Sequence, residues 1–259
     1  ELHQEIDFDL VHQGNMCGFR EPGYLWKLNA PFIWGPIGGV QNCPLRILSQ
    51  MTRRESLMEG VRTVVNWLQL RCSRRVRQAA HRARVMLVAN RAIQEEFEPV
   101  VRCENEAMCE IGTTAIAAKR DVTDAAQPLR ILWAGECRAR KGMTMLLRAI
   151  AALPQDIKVE VKVLGTGPAR RRWERRAERY GIADSIEWKG WLPHDEALQQ
   201  YAWADMFAFT SLRDTTGTVV LEALSNGVPV ITWNHQGVRD IVTESSGIKI
   251  EVTSLQEMV

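Results

Sequence analysis

The chain has 259 residues, of which 46% are hydrophobic, so it can bury a substantial core in one large domain or two modest ones. A formal net charge of +2 is too small to indicate a nucleic-acid partner, and no window approaches the ~18 consecutive apolar residues that span a bilayer. The six cysteines form no CxxC pair and no Cys/His cluster, which argues against a zinc site and is typical of reduced cytoplasmic thiols. The chain starts without Met and stops within a helical pattern, so we expect a fragment truncated at both ends.

The first half of the chain has an irregular pattern. Short apolar runs predict strands at 8–13, 31–36 and 85–90, and residues 51–84 predict a long arginine-rich helix. A polar stretch that ends in proline, 120–128, predicts a linker. We therefore place the domain boundary between residues 127 and 128, which gives domains 1–127 and 128–259.

The segment 61–85 contains seven arginines and no acidic residue. Two interpretations stay open for it. It is either a solvated helix face above an apolar stripe of core residues, or a surface that meets anionic lipid head groups or an anionic lipid-linked acceptor. The stripe residues are Val64, Val65, Leu68 and Leu70, and the arginines that would face the lipid are Arg71, Arg74, Arg75 and Arg77.

The second half alternates between short apolar runs and helical patterns. Strands are predicted at 129–134, 157–164, 186–190, 205–210, 228–233 and 247–252. Strands that alternate with helices of this length indicate an α/β fold with a parallel, doubly wound sheet. In such a sheet, ligands bind outside the carboxyl ends of the strands.

Residues 213–237 carry more polar chemistry than a connecting loop needs. Asp214 and Glu222 flank a Thr/Gly-rich turn, and a helix is predicted from Thr218. The backbone N–H groups of Gly217 and Thr218 can bind an anion, whereas the two carboxylates would accept hydrogen bonds from hydroxyl groups near it. A phosphate flanked by hydroxyl groups describes a nucleotide sugar.

Four motifs now carry a family resemblance. Asp214-x7-Glu222 followed by ALSNGVPVITW resembles the signature of retaining glycosyltransferases of the GT-B fold, glycosyltransferase family 4 (glycosyl transferases group 1). ILWAGECRARKGM resembles the first strand and diphosphate loop of that family, and VKVLGTGP resembles its second nucleotide-side loop. IEWKGWLPHDEALQQYAWADMFAFTS also matches, and FDLVHQGN and PFIWGPIGG are similar, with lower specificity, to the acceptor-side domain.

The resemblance implies two Rossmann-like domains, with the acceptor on the 1–127 side and the nucleotide sugar on the 128–259 side. It implies that Lys141 contacts the diphosphate, Glu222 the ribose hydroxyls, and Asp214 with the following backbone the transferred sugar. His12, at a strand end, would face the donor sugar or is a core histidine. The catalytic residues implied are His12, Lys141 and Asp214, and the donor-binding residues are Gly135, Lys141, Gly165, Asp214, Thr215, Thr216, Gly217, Thr218, Val219 and Glu222.

Two departures from the family pattern leave questions open. The family usually has Glu where this chain has Asp214, and often Arg where it has Glu136. Either Arg138 or Arg140 could take over the second phosphate contact. Lys141 could also be a solvated lysine at a helix start, and His235 is interpreted as a loop histidine in preference to a donor contact.

The resemblance predicts a metal-independent, retaining hexosyltransferase without a cofactor. Its partners would be a nucleotide sugar and a saccharide or lipid-linked acceptor, with no nucleic acid. We expect a cytoplasmic protein, with possible peripheral contact with an anionic membrane. The alternatives are a GT-B-fold nucleotide-sugar epimerase or phosphorylase, and a non-catalytic nucleotide-sugar-binding module.

Overall fold

The computed structural model describes residues 6–14, 18–101, 103–113 and 127–253. The chain divides into two compact units. The first unit comprises Glu1–Asn42, Leu57–Ile111 and Asp214–Thr216, and the second comprises Cys43–Ser56, Gly112–Arg213 and Gly217–Val259. Most of the predicted linker at 120–128 lies outside the described residues, and the domain boundary placed beside it stays a prediction.

The first unit contains a parallel sheet of four strands in the order β1-β2-β3-β4. The strands are β1 (Val11–Gln13), β2 (Phe32–Ile37), β3 (Ala83–Val88) and β4 (Glu104–Ala107). The helices are α1 (Arg53–Cys72), which belongs to this unit from Leu57 onward, α2 (Arg74–Arg82) and α3 (Arg91–Phe97). Its core contains Trp34, which packs edge-on against Phe97 with ring centroids 6.4 Å apart. The three predicted strands are present with shifted ends, and the polar strand β4 was not predicted.

The single helix predicted over 51–84 is wrong. The helix α1 ends at Cys72, and Ser73 begins α2 by accepting a hydrogen bond from the Val76 N–H at 3.4 Å. A serine before a helix is a preferred cap, because its hydroxyl satisfies one of the free N–H groups of the first turn. Glu55 reaches back to the Thr52 N–H at 2.9 Å in the same way at the start of α1.

The apolar stripe predicted for α1 is also split by the structure. Leu70 is buried in the core of the first unit, whereas Val64 and Leu68 are exposed. A second set of apolar residues lies on the exposed surface of the same helix, namely Leu57, Met58, Val61 and Trp67. The helix therefore presents apolar side chains to solvent, in addition to those that it buries.

The second unit contains a parallel sheet of six strands in the order β7-β6-β5-β8-β9-β10. Its strands are β5 (Leu129–Ala134), β6 (Val159–Leu164), β7 (Ile186–Gly190), β8 (Met206–Phe209), β9 (Val230–Trp233) and β10 (Gly247–Ile250). Its helices are α4 (Met143–Ala151), α5 (Arg170–Tyr180), α6 (His194–Trp203), α7 (Thr218–Ser225) and α8 (Gln236–Ile241). The α/β, doubly wound prediction is confirmed.

Strand β5 lies in the middle of this sheet, between β6 and β8. The chain first adds strands on one side of β5 and then on the other, so the strand order reverses between β5 and β8. Ligands of doubly wound sheets bind at such a switch point, beyond the carboxyl ends of the strands. Buried Trp133 of β5 packs edge-on against Trp173 of α5, with centroids 5.7 Å apart, and fixes the helix that connects β6 to β7 against the sheet.

The structure describes residues 6–14, 18–101, 103–113 and 127–253, and the helices in these ranges bear on membrane insertion. Within those ranges, none is both long enough and apolar enough to cross a membrane.

Candidate functional site

A cavity of about 440 Å³ lies at the carboxyl edge of the six-stranded sheet. Its walls come from the segments that follow β5, β6 and β7, and from helices α6 and α7. The residues that line it include Gly135, Gly165, Trp191, Tyr201, Val219 and Glu222. Four of the predicted donor-binding residues, Gly135, Gly165, Val219 and Glu222, therefore line one cavity.

Gly165 allows two loops to meet at the floor of this cavity. Its backbone has φ +122°, a conformation that residues with a side chain rarely adopt, and a Cβ there would overlap the carbonyl oxygen of Gly135. The Gly165 N–H donates to the Gly190 carbonyl at 2.6 Å, and the Gly135 N–H donates to the Leu164 carbonyl at 3.0 Å. The loops after β5, β6 and β7 are thus tied together by their backbones.

Glu222 has a buried partner that the sequence did not indicate. The hydroxyl of Tyr201, a residue 1% exposed, donates to Glu222 Oε2 at 2.9 Å. Burial and the neighbouring Glu222 carboxylate raise the pKa of this hydroxyl above its ordinary value, so Tyr201 acts as a neutral donor. A carboxylate can accept about four hydrogen bonds, so Glu222 keeps acceptor capacity for ligand hydroxyl groups.

Helix α7 begins at Thr218, as predicted, with Gly217 before it in a left-handed conformation at φ +77°. A Cβ at Gly217 would lie 3.0 Å from the Phe209 ring, so the close approach of loop and strand also requires glycine. The first N–H groups of any helix have no partner inside the helix. Those of α7 therefore form a place where an anion is stabilised.

Lys141 lies outside the cavity lining, at the end of the single helical turn Ala139–Lys141. Its Nζ is 5.7 Å from the centroid of the Phe209 ring, the ring that Gly217 also adjoins. The Lys141 carbonyl accepts a hydrogen bond from Thr210 Oγ1 at 2.8 Å. The loop after β5 is therefore fixed to the loop after β8, across the switch point.

The structure separates the two arginines that could make a second phosphate contact. Arg140 donates to the Arg213 carbonyl at 3.0 Å, so its guanidinium helps to tie the same two loops. Arg138 instead pairs with Glu136 at 2.6 Å, and about half of each side chain is exposed. Because Glu136 lines the cavity, this pair brings a cation to its edge.

Asp214, Thr215 and Thr216 belong to the first unit. Asp214 Oδ1 accepts a hydrogen bond from the Thr215 N–H at 3.1 Å. The Thr215 carbonyl accepts from the Asn90 side chain at 2.8 Å, and Thr216 Oγ1 donates to Glu110 at 3.1 Å. The same Asn90 caps helix α3 through its Oδ1, and no motif in the sequence indicated either role.

The two histidines of interest, His12 and His235, lie in different units. His12 is the middle residue of β1, in the first unit, and its Nε2 is 2.7 Å from the Gly35 carbonyl. The role predicted for His12 stays a prediction. His235 precedes helix α8, and burial, with a smaller effect of Arg239, lowers its pKa to about 4. It is not among the residues that line the cavity.

Throughout the part of the chain that the structure describes, no three or more His, Cys, Asp or Glu side chains cluster in a way that could hold a metal ion.

Known proteins resemble this chain in sequence and in fold. It is 28% identical over 130 residues to the putative colanic acid biosynthesis glycosyltransferase WcaL of Salmonella typhimurium. The aligned region covers 48% of this chain and 32% of that protein. It is 26% identical over 257 residues to the 2-deoxystreptamine N-acetyl-D-glucosaminyltransferase of Streptomyces fradiae, covering 90% of this chain and 56% of that protein. The chain thus spans less than two thirds of the length of these curated relatives.

The fold resembles that of a lipopolysaccharide outer core galactosyltransferase, WaaB, in its apo form. The TM-score is 0.71 at 14% identity, over 99% of this chain and 65% of the other. The two parallel sheets are thus those of the GT-B fold. The sequence profile described as "Glycosyl transferases group 1" matches residues 116–259, more than half of the chain. This chain belongs to the glycosyl transferases group 1 family.

Proposed function

We propose that the protein is a retaining glycosyltransferase whose second unit binds a nucleotide-sugar donor. The observation that carries this proposal is the cavity at the switch point, where Glu222 is held by a buried tyrosine beside two glycine loops. Its elements offer acceptors for hydroxyl groups and N–H donors for phosphate, the two recognition chemistries that a nucleotide sugar requires. The relatives described above, both named for sugar transfer, support the same class of reaction.

Each end of the donor has a proposed position. Glu222 accepts hydrogen bonds from the ribose hydroxyls, because its carboxylate lines the cavity with acceptor capacity left. The diphosphate lies against the loops of Gly135 and Gly165 and the first turn of α7. Of the two candidate arginines, Arg138 supplies the second phosphate contact, since its half-exposed ion pair with Glu136 is at the cavity edge, whereas Arg140 is bound to the Arg213 carbonyl.

The chemical step separates the transferred sugar from the diphosphate. Negative charge builds on the diphosphate as that bond breaks, and Lys141, Arg138 and the start of α7 stabilise it electrostatically. Stabilisation of the leaving diphosphate needs fixed positive charge, and we propose that the protein supplies this charge without a metal ion or cofactor. The contacts with the transferred sugar that the resemblance implies for Asp214, for the backbone from Thr215 to Thr218 and for His12 remain part of this proposal.

Helices α1 and α2 support a proposal for the acceptor. Leu57, Val61, Val64 and Leu68 recur at three- and four-residue spacings on α1 and are 44–68% exposed. Exposed arginines follow directly in the chain at 71, 74, 75 and 77. An exposed apolar face beside clustered cations fits the surface of an anionic membrane. The acceptor is accordingly a saccharide or a lipid-linked saccharide, met at the inner face of the membrane.

The donor is tested by thermal shift and calorimetry with UDP, GDP and ADP sugars. We expect one nucleotide to raise the melting temperature, and NMR of the transferred or hydrolysed sugar to show retention of the anomeric configuration. Turnover should persist in EDTA, and loss of activity that added Mg²⁺ restores would overturn the metal-free step. Interconversion of sugar epimers would favour an epimerase, and phosphorolysis would favour a phosphorylase. Binding without turnover would favour a non-catalytic nucleotide-sugar-binding module.

The role of Lys141 is tested separately. Lys141→Ala should lower the turnover number more than the donor affinity, because the charge it meets is larger in the transition state than in the ground state. The exposed Lys158→Ala, which lies at the opposite end of β6 from the cavity, is the control. Unchanged turnover at saturating donor would make Lys141 a surface lysine.

The membrane surface is tested by co-sedimentation with vesicles. The protein should sediment with anionic vesicles at low salt but not with neutral ones, since each cation contributes about 1 kcal/mol that salt screens. Changing Arg71, Arg74, Arg75 and Arg77 to Gln should abolish recruitment and leave donor binding intact. Equal sedimentation of variant and parent would show that the segment is only a solvated helix face, with a soluble acceptor.

A further inference from the structure

Trp191 is unusually exposed to solvent for a tryptophan. Its side chain is 72% exposed, more than any other large hydrophobic residue in the described ranges. It follows the last residue of β7, Gly190, whose positive φ of +78° turns the chain. The next residue, Leu192, packs against the core of the second unit, whereas Trp191 stays in solvent. Exposing so large an apolar surface costs free energy unless something covers it.

Trp191 also lines the cavity that contains Glu222. Helix α6 connects the two positions, because Tyr201 on this helix binds Glu222 and Trp191 lies three residues before its first residue. Tyr201 is seven positions after His194, which is about 10 Å along a helix at 1.5 Å per residue. The cavity therefore has a carboxylate at one end and an exposed aromatic ring at the other.

The sheet order decides which part of a ligand could reach that ring. Strand β7 is the edge strand, two strands from β5, so the segment after β7 lies about 10 Å from the switch point at about 4.8 Å per strand. Lys141 and the start of α7, the groups proposed to meet the diphosphate, are at the switch point. A ligand with its diphosphate there and its ribose at Glu222 extends its base toward the edge strand.

We propose that the indole of Trp191 stacks on the planar base of the donor nucleotide and closes the outer end of the cavity. The inference rests on the proposed function, since it assigns the base end of the same ligand. An aromatic face binds any nucleobase through its π system, so Trp191 supplies affinity for the base without reading its polar edge. The exposed tryptophan is thereby covered only when a nucleotide is bound.

The experiment compares ligands with and without a base. Calorimetry would measure UDP, GDP, ADP and ribose 5-diphosphate, which keeps the sugar and phosphates and lacks the base. Trp191→Ala should weaken the best-bound nucleoside diphosphate by about tenfold or more, the usual effect of losing one base–aromatic stack, and leave ribose 5-diphosphate unchanged. Trp191→Phe should recover most of the affinity, since it restores a flat aromatic ring.

A second exposed tryptophan provides the matched control. Trp67, on α1, is 53% exposed, and Trp67→Ala should leave all four affinities unchanged. Equal weakening of ribose 5-diphosphate and the nucleotides by Trp191→Ala, or no weakening of either, would overturn the stacking proposal while nucleotide binding by the parent protein stands. Failure of the parent protein to bind any of the three nucleotides would overturn the proposed function itself, and the stack with it.

Discussion

The cavity of the second unit and the exposed surface of helix α1 are built in opposite ways. In the cavity, backbones approach so closely that glycine is required, and the acid Glu222 has a buried tyrosine as its partner. On α1, apolar side chains and the nearby arginines stand in solvent, and Gly60 has no atom within 4 Å of the position of a Cβ. The cavity can recognise a ligand atom by atom, whereas the surface can only attract one through summed area and charge.

The same substitution in the two regions should have opposite effects, and this is the largest effect that we expect. Gly165→Ala places a methyl group against the Gly135 carbonyl in a backbone conformation that alanine disfavours, so it should lower the free energy of unfolding by roughly 2–5 kcal/mol. Gly60→Ala should raise it by roughly 0.5–1 kcal/mol, through better helix propensity. Denaturant titrations check both, and equal effects would erase the distinction between the regions.

Histidines give the next largest contrast. The His235 pKa is lowered to about 4, so between pH 6.5 and about 4 the unfolded chain binds a proton that the folded protein does not. The contribution of His235 to the free energy of unfolding is therefore fully present above pH 6.5. It is lost as the pH falls through this window, by up to roughly 3 kcal/mol. His235→Gln should flatten that part of the pH profile of the melting temperature. His81→Gln, at an exposed position of α2, is the control for the loss of a surface histidine.

Much of the second unit was predictable because its chemistry is local. Strands β5 and β7 have the predicted bounds, and α7 begins at the predicted Thr218. The signals for these elements are β-branched runs, glycine turns and helical spacing, and each lies within a short stretch of consecutive residues. The break at Ser73 was missed because the arginine-rich pattern continues on both sides of it. A single capping hydroxyl stops one helix there and starts another.

The partners within the site were not predictable in this way. Tyr201 and Glu222 are 21 residues apart, and Asn90 and Thr215 are 125 residues apart. Neither pair shares a motif, because such contacts depend on how strands are ordered in a sheet and not on spacing along the chain. Trp191 lies within a predicted motif, yet only its exposure beside the cavity distinguishes it from the buried tryptophans Trp34, Trp133 and Trp173.

Glu222 tests whether the cavity binds ligand through a defined hydrogen bond. Glu222→Gln removes the charge and one acceptor oxygen, and should weaken nucleoside diphosphate binding by about 2 kcal/mol, within the range for hydrogen bonds to a charged group. Calorimetry with the best-bound nucleotide measures the change. Glu178→Gln, on an exposed position of α5, is the control and should have no effect. Unchanged affinity in Glu222→Gln would exclude this residue from the nucleotide site.

The smallest effect that we expect concerns Tyr201, whose hydroxyl donates to Glu222. It tests whether this hydrogen bond orients the Glu222 carboxylate for nucleotide binding. Tyr201→Phe keeps the packing against Phe207 but removes the hydroxyl that donates to Glu222, so nucleotide affinity should fall by about 1 kcal/mol, the net value of one hydrogen bond. Tyr180→Phe, on α5, controls for the loss of a hydroxyl elsewhere.

If Tyr201 acts only by orienting Glu222, it has little left to contribute once Glu222 is Gln, and the double variant should bind nearly as well as Glu222→Gln alone. Fully additive losses in this cycle would instead mean that Tyr201 contacts the nucleotide independently.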